Sequence, residues 1–298
     1  MPRQFKRLGL IATLVVALIV VSAPRASALT INLINGGGAE PATVQGGGNL
    51  TDIFTAAAAL WEAAILDAFV ITLTYQWGAL GAPTIGLHSL TTQGGAPNRE
   101  TAGLLTFDND GSTTWFLDPT PMDSSEYSTF TQVSTDYGGG LVNDGRNFTG
   151  ATGDAAGAFD LFSVVLHEIG HSLGLASANT AYRAETCPDN DVDVSGPRPN
   201  PGSVLPTNNT ATGADDGTCV TNAHLDISTS LMFPSVNAGA RNLISGVDVL
   251  ANCQISQFVD CNLDPQFENP IPEPATLILL GTGLAAAGMR RRRASKRE

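Results

Sequence analysis

The sequence predicts an α+β fold, and three patterns along the chain support this prediction. Residues 30–35 and 70–77 alternate apolar and polar side chains, as half-buried strands do. Between them, residues 49–69 form an alanine-rich run with apolar side chains at helical spacing. A second helix is predicted from Asp160 to Leu173, where the apolar positions favour burial in the core. The predicted order is therefore strand, helix, several strands and a buried helix.

Capping residues predict where these helices begin and end. Asn49 or Thr51 is placed to cap the first helix, because short polar side chains accept hydrogen bonds from its first free N–H groups. Asp160 is placed in the same way before the second helix. Gly174 is expected to end that helix, since glycine tolerates the left-handed conformation common at helix C-termini.

Further strands are predicted in the first half of the chain. The segments 84–90, 101–107 and 113–117 are separated by Gly, Pro, Asn and Asp residues that favour turns. The last of them, TTWFL, is interpreted as an edge strand beside a cleft, where an extended substrate could pair. Residues 119–156 are dense in Ser, Thr, Gly and Asp and are predicted to be loop.

The first 28 residues carry an export signal. Basic residues are followed by an apolar stretch at 8–21 and then by the small residues Ala26, Ser27 and Ala28. This order is typical of a secretory signal peptide, with cleavage expected after Ala28. A retained membrane anchor is the alternative, but the apolar stretch is shorter than the roughly 20 residues that a spanning helix needs.

The last 27 residues, 272–298, carry a second signal. The letters PEP precede an apolar run at 275–289 and four arginines at 290–293. This order resembles the PEP-CTERM sorting signal of Gram-negative bacteria, which implies an exosortase-type processing enzyme and transient membrane association through the apolar segment. An ordinary membrane anchor is the alternative, although about 15 apolar residues would span poorly. The protein is therefore expected in the cell envelope, at the cell surface or in the extracellular matrix.

The expected folded domain, residues 29–271, is strongly acidic. It contains 26 acidic and five basic residues, for a net charge of about −21. Such a surface repels nucleic acid, so no nucleic-acid partner is expected. Asp189, Asp191 and Asp193 could bind Ca²⁺ through oxygen ligands, and a solvated loop is the alternative interpretation.

All four cysteines lie in the second half of this domain. An even number in an exported protein predicts two disulfides. Three pairings are possible, and the local one, Cys187 with Cys219 and Cys253 with Cys261, is expected. Free thiols or a metal site are the alternatives, but no CxxC spacing supports a metal site.

The run HEIGH at 167–171 has the spacing of a zinc site with a general base. His167 and His171 are four residues apart on a helix, so both can bind one Zn²⁺ ion at about 2.0–2.1 Å. Glu168 lies about 100° round the helix and could accept a proton from a water molecule at the metal. Buried histidines that only make hydrogen bonds are the alternative.

Two segments, DLFSVVLHEIGHSLGL at 160–175 and SLMFP at 230–234, resemble the metzincin metallopeptidases, most closely the matrixins. The resemblance implies a zincin fold: a twisted, mostly parallel sheet with an edge strand over the cleft, a long N-terminal helix and the HExxH helix. A smaller C-terminal subdomain would hold a methionine turn at Met232, beneath the metal, and one helix. Ser245 and Asp248, spaced as a capping box, look like the start of that helix.

The sequence departs from the metzincin pattern at the third metal ligand. In that family the motif continues as HExxHxxGxxH; Gly174 matches, but Ser177 stands where the third histidine is expected. His224 lies eight residues before Met232, a stretch that looks like the segment between third histidine and methionine in a matrixin. His224 is therefore the candidate third zinc ligand.

A displaced third ligand requires an insertion of about 47 residues, roughly 177–223. Leishmanolysin-like metzincins carry a long insertion at the same point. A disulfide between Cys187 and Cys219 would close its base, and loop closure costs little per added residue. Asp226, Glu185 or no third ligand are the alternatives.

The expected function is a secreted zinc-dependent endopeptidase that hydrolyses extracellular or envelope proteins. His167, His171 and His224 would bind zinc, and Glu168 would act as general base. The alternative is a catalytically inactive matrix or surface protein with a zincin fold, which the sorting tail, the acidic surface and Ser177 support. The intact Glu168 argues against it, because a structural zinc site has no use for a base.

Overall fold

The central feature of the fold is a four-stranded sheet against which two helices pack. The computed structural model describes residues 28–187, 189–208 and 222–265. The elements in chain order are β1 (Thr30–Gly37), β2 (Val44–Gln45), α1 (Leu50–Ala64), β3 (Val70–Gly78), β4 (Gly86–Gly94), β5 (Arg99–Asp108), β6 (Trp115–Phe116), β7 (Tyr127–Asp136), β8 (Leu141–Ala151), β9 (Phe159–Asp160), α2 (Leu161–Leu173), α3 (Thr180–Thr186), β10 (Asp191–Asp193), β11 (Val204–Pro206), β12 (Arg241–Leu243) and α4 (Gly246–Ile255).

The main sheet has the order β1-β3-β5-β4. The first three strands are parallel, while β4 is antiparallel to β5 and lies at the edge. Helices α1 and α2 contact each other, and α2 also contacts β4 and β5. The motif helix is therefore adjacent to the antiparallel edge strand.

The interpretation of Thr113–Leu117 as the edge strand beside the cleft is wrong. Only Trp115 and Phe116 are in strand conformation, and β6 pairs with β2 and β9 in a separate small sheet. Both side chains are buried, at 0% and 3% exposure, so this strand cannot offer a free edge to a substrate. The strand that borders the cleft is β4.

The prediction of a loop over residues 119–156 is also wrong. Strands β7 and β8 form a long antiparallel hairpin in this region, and β12 pairs with the other side of β8. Most side chains of β7 are exposed, and many of them are Ser or Thr. The strand therefore lacks the alternation of apolar and polar residues that would predict it from the sequence. Its conformation depends on backbone pairing, which composition does not reveal.

The predicted helix caps are confirmed. Asn49 accepts a hydrogen bond from the backbone N–H of Asp52, and Asp160 accepts one from that of Ser163. Helix α1 ends at Ala64, five residues before the predicted end.

Gly174 does end α2, but for a reason other than the predicted one. Its φ of 162° is extended rather than left-handed. A Cβ at this position would lie 3.0 Å from Oδ1 of Asn252 and 3.1 Å from Oγ of Ser256. The close approach of α4 therefore favours glycine at this position.

The core joins the two large helices to the sheet. Trp61 of α1 is fully buried and its indole N–H donates to the backbone carbonyl of Leu166 in α2 at 3.0 Å. Phe54 stacks on Tyr75 of β3 with ring centroids 4.2 Å apart. The core begins at Leu29, which is 2% exposed and whose N–H donates to the carbonyl of Ile65 at 3.3 Å.

The described part of the insertion forms a small layer over α4. It contains α3 and the antiparallel hairpin of β10 and β11. Arg198 donates to the carbonyl of Cys253 at 3.0 Å, and the side-chain amide of Gln254 donates to Glu185 at 3.1 Å. These contacts fix the insertion against the C-terminal helix, whose capping box of Ser245 and Asp248 is present as predicted.

The disulfide between Cys253 and Cys261 is confirmed, with Cα atoms 6.7 Å apart. Cys187 is also disulfide-bonded, while its predicted partner, Cys219, lies outside the described residues. The apolar segments of the signal peptide and of the sorting tail lie outside them as well. Among the residues described, no helix has the length and apolarity needed to cross a membrane.

A buried ion cluster fixes the start of α2. Arg241, Asp118 and Asp160 are each 0% exposed, and the Arg241 guanidinium donates to Asp160 at 2.9 and 3.0 Å and to Asp118 at 2.6 Å. The same Asp160 carboxylate caps α2 by accepting from Ser163. The cluster therefore ties β12 to the helix that carries the HEIGH run.

We expect Arg241→Leu to lower the free energy of unfolding by about 3–5 kcal/mol, because it leaves two buried carboxylates without a cation. Urea unfolding measures the change. Arg183→Leu is the matched control: Arg183 is half-buried on α3, its side chain forms no ion pair with the described residues, and its loss should cost under about 1 kcal/mol. Equal losses in the two variants would contradict this account of the cluster.

Candidate metal centre

Three histidines from two distant parts of the chain meet at one point. The side chains of His167, His171 and His224 each offer one nitrogen, and these nitrogens lie within 4.8 Å of one another. His167 and His171 come from adjacent turns of α2, whereas His224 comes from the far side of the insertion. Among the described residues, no other group of three His, Cys, Asp or Glu side chains has the spacing of a metal site.

The orientation of the two helical histidines is set by backbone carbonyls. The Nδ1 atom of His167 lies 2.7 Å from the carbonyl oxygen of Leu231, and Nδ1 of His171 lies 2.5 Å from that of Leu175. A carbonyl only accepts, so in each ring Nδ1 carries the hydrogen and Nε2 carries a lone pair. A second hydrogen bond of this kind is what orients histidine ligands in metal sites.

His224 is held in place by its own backbone. Its carbonyl accepts from the N–H of Asn208, and the next residue, Leu225, donates to the carbonyl of Met232 at 3.1 Å. An isolated bridge between Leu225 and Thr207 extends the end of β11. The insertion therefore returns the chain to α2 through a backbone pairing that brings the His224 ring 4.9 Å from that of His171, between centroids.

The methionine turn lies directly under the histidine pair. Met232 is fully buried, and a Cβ on Gly170 would collide with its sulfur. The turn is held by Asp248, which accepts from the backbone N–H groups of Leu231 at 3.2 Å and Met232 at 2.9 Å. Because the carbonyl of Leu231 orients His167, Asp248 indirectly fixes the position of that ring.

The histidines are kept neutral by their surroundings. Burial lowers the pKa of His167, and burial together with the neighbouring histidines lowers the pKa of His171 well below its usual value. Burial also lowers the pKa of His224 to about 3, with His167 adding to the shift. Neutral imidazole is the form that binds a metal ion.

Glu168 lies between the histidines and the edge strand β4. It is 5% exposed, and burial raises the pKa of its carboxyl group to about 8 although the backbone N–H of His88 donates to it. A Cβ on Gly86 would lie 2.6 Å from Oε1 of Glu168, so only glycine leaves room for the carboxylate. Strand β4 thus positions the Glu168 carboxylate through the hydrogen bond from the N–H of His88 and through close packing at Gly86.

The structure also brings two residues to this site that the motif did not reveal. His88 on β4 donates or accepts through Nε2 at 2.9 Å from both carboxylate oxygens of Glu100, and its ring lies 6.1 Å from that of His171. Glu100 is 1% exposed. The two residues lie on adjacent antiparallel strands but not opposite each other, which conceals the pair in the sequence; a lone histidine in an alternating strand was the only available signal.

The alternatives to His224 lie elsewhere. Asp226 is exposed, and Glu185 accepts from Gln254 and from the backbone N–H of Asp193. The acidic run of the insertion does not form a metal group within the part of the chain that the structure describes. Ser177, at the position of the third histidine in the metzincin pattern, lines the cleft.

Comparison with known proteins identifies the tail. Residues 270–293 match the PEP-CTERM protein-sorting motif. The protein is therefore exported and processed at the cell envelope, and its tail is of the kind that an exosortase-type enzyme recognises. No curated protein and no solved structure matches the chain.

We expect Asp248→Asn to weaken zinc binding about 10- to 100-fold, because the loss of one acceptor loosens the turn that orients His167. The unfolding free energy should fall by about 2–4 kcal/mol, since an amide N–H would face backbone N–H groups. Competition with a chromophoric chelator measures the affinity. Asp226→Asn, an exposed change between His224 and Met232, should leave both quantities unaltered; a similar loss there would refute the role of Asp248.

In the metal-free protein, Glu168 should make stability depend on pH. Its folded pKa of about 8 exceeds its ordinary value of 4.5, so the unfolded chain releases this proton first as the pH rises. The wild type should therefore lose stability between pH 4.5 and 8 relative to Glu168→Gln, which cannot ionise. Urea unfolding in a chelator at pH 5 and pH 8 measures the difference. Parallel pH dependences of the two proteins would contradict this, because the histidines are common to both.

Proposed function

We propose that the protein is a zinc-dependent endopeptidase of the exported or envelope-associated kind. The observation that carries the proposal is the meeting of His224 with His167 and His171 beside the buried Glu168. Three neutral imidazoles form the donor set that zinc prefers in catalytic sites, where three protein ligands leave one position open. A base placed next to such a set distinguishes it from a structural metal site.

The donor set fits zinc in two respects. Both helical histidines have their Nδ1 atoms engaged by carbonyls, which leaves each Nε2 free to bind the ion. The ring of His224 lies 5.2 Å from that of His167 and 4.9 Å from that of His171, between centroids, so one of its nitrogens can join theirs at a single ion. When bound, zinc would polarise the peptide carbonyl and lower the pKa of a coordinated water molecule.

Glu168 would move the proton. Its carboxylate, held by the N–H of His88, would accept a proton from the attacking water and deliver it to the nitrogen of the leaving amine. Burial favours the protonated form that this delivery requires, whereas a metal cation nearby favours the ionised form that accepts the proton.

A peptide fits the cleft better than a small molecule. The cleft has a volume of about 600 Å³, and β4 borders it with an edge that pairs with no other described strand. An extended peptide could add to this edge through backbone hydrogen bonds. Val164, Phe233 and Val236 line the cleft, so we expect an apolar side chain of the substrate to lie next to the scissile bond.

The cellular setting also forms part of the proposal. The substrates would be extracellular or envelope proteins of a Gram-negative bacterium, reached while the tail holds the protein transiently at the membrane or after its release. The acidic surface would disfavour nucleic acid and anionic lipid as partners. The competing possibility is an inactive matrix or surface protein that shares this metal centre.

Purified domain loaded with zinc should cleave casein in a chelator-sensitive manner. Glu168→Gln should retain one zinc per chain and lose at least about 100-fold in kcat, because only the proton transfer is removed. His224→Ala should lose both zinc and activity. Metal content by atomic emission and proteolysis of fluorescent casein provide the two measurements.

Asp226→Ala is the control for His224, since it changes an exposed acid two residues away and should preserve zinc and turnover. A protein that binds one zinc but cleaves neither casein nor an unfolded peptide library would favour the inactive alternative. Unchanged zinc content in His224→Ala would remove that residue from the metal centre.

A further inference from the structure

A buried polar pair forms one wall of the cleft and is used by neither the metal nor the base. The side chain of His88 is 6% exposed and that of Glu100 is 0% exposed. They are not opposite each other in the β4–β5 ladder, where Glu100 faces Gln93 and His88 faces Leu105. The Glu100 carboxylate reaches His88 across Gly103, where a Cβ would collide with Oε1.

The geometry of the pair assigns its hydrogen. Both oxygens of Glu100 lie 2.9 Å from Nε2 of His88, which is the arrangement of one N–H shared between two acceptors. A carboxylate only accepts, so Nε2 carries the hydrogen, and in the neutral ring Nδ1 carries a lone pair. Burial raises the pKa of Glu100, while His88 and Ser172 favour its ionised form through hydrogen bonds. The ring is thereby held in one orientation.

The remaining nitrogen of His88 is left for a partner in the cleft. The ring lines the cleft together with His171 and Glu168, and it is stacked at 29° to the His171 ring. Its Nδ1 makes no hydrogen bond to any part of the chain that the structure describes, and it is not among the atoms buried without a partner. A fixed acceptor therefore faces the space beside the metal centre.

We infer that His88 binds the substrate, with its Nδ1 accepting a hydrogen bond from a main-chain N–H of a bound peptide. This inference rests on the proposed endopeptidase function. A peptide is the class of ligand whose backbone supplies such a donor at every residue along an extended strand. Glu100 is then a positioning residue, which acts on the substrate only through the ring that it orients.

A purely structural role predicts a different outcome. Glu100 also bonds to Ser172 of α2, so the pair could serve only to join β4 and β5 to the motif helix. Ser172→Ala weakens that connection while leaving His88 and Glu100 in place. The Ser172→Ala variant therefore distinguishes a role of the pair in folding stability from a role in binding the peptide N–H.

The experiment uses one casein-derived peptide that the wild type cleaves, and a set of analogues in which each amide in turn is replaced by an ester. An ester keeps the backbone shape but lacks the N–H. Affinities are measured by calorimetry with zinc-loaded Glu168→Gln, which binds without cleaving. One ester position should lose about 5- to 10-fold in affinity, as expected for a single hydrogen bond.

In the double variant Glu168→Gln/His88→Phe, the ester at that position should bind as tightly as the amide peptide. In Glu168→Gln/Ser172→Ala, the same ester should still bind more weakly than the amide peptide. His88→Lys serves if the phenylalanine variant fails to fold, since its ammonium group can still donate to Glu100 and carries no acceptor. If the ester reduces peptide affinity equally in the proteins with and without His88, the inference is overturned and the proposed function stands. A protein that retains zinc but binds no peptide overturns both.

Discussion

The arrangement of the three histidines depends on the buried ion cluster around Arg241. One guanidinium satisfies two carboxylates that are inaccessible to water, and one of these, Asp160, also caps the motif helix. A buried charge without a partner is far more costly than a surface charge, so the three side chains must come together in the folded state. This requirement fixes where α2 begins. The start of the helix in turn sets where His167 and His171 lie along its axis and in which direction their side chains project.

The second constraint acts from the opposite side of the same helix. Asp248 of α4 holds the methionine turn, and the turn orients His167 through the carbonyl of Leu231. The histidine nitrogens are thus positioned by residues on both sides of the insertion. The pairing of Leu225 with Thr207 fixes the C-terminal end of the insertion, and loop closure costs little per added residue, so a long insertion is tolerated.

The sequence allowed the local features to be predicted because their causes are local. The caps at Asn49 and Asp160 and the Cys253–Cys261 disulfide each depend on residues close together in the chain. The meeting of His224 with the helical pair was predicted from a resemblance to a known pattern rather than from local physics. Its role as a zinc ligand stays a prediction.

The features that were missed depend on pairing between distant segments. Strand β7 has an exposed face on both sides along most of its length, so it lacks the alternation by which strands are recognised. The edge position of β4 follows from strand order, which an isolated segment does not encode. The His88–Glu100 pair requires the antiparallel register of β4 and β5, and the gap at Gly103 that lets the carboxylate cross.

The burial of Leu29 bears on the timing of export. If the signal peptide is cut after Ala28, the bond to be hydrolysed adjoins a residue that is 2% exposed and hydrogen-bonded to Ile65 in the folded domain. A signal peptidase needs that segment extended and unpaired, so cleavage would have to precede folding. The chain would then be exported unfolded, and the three histidines would come together only after export.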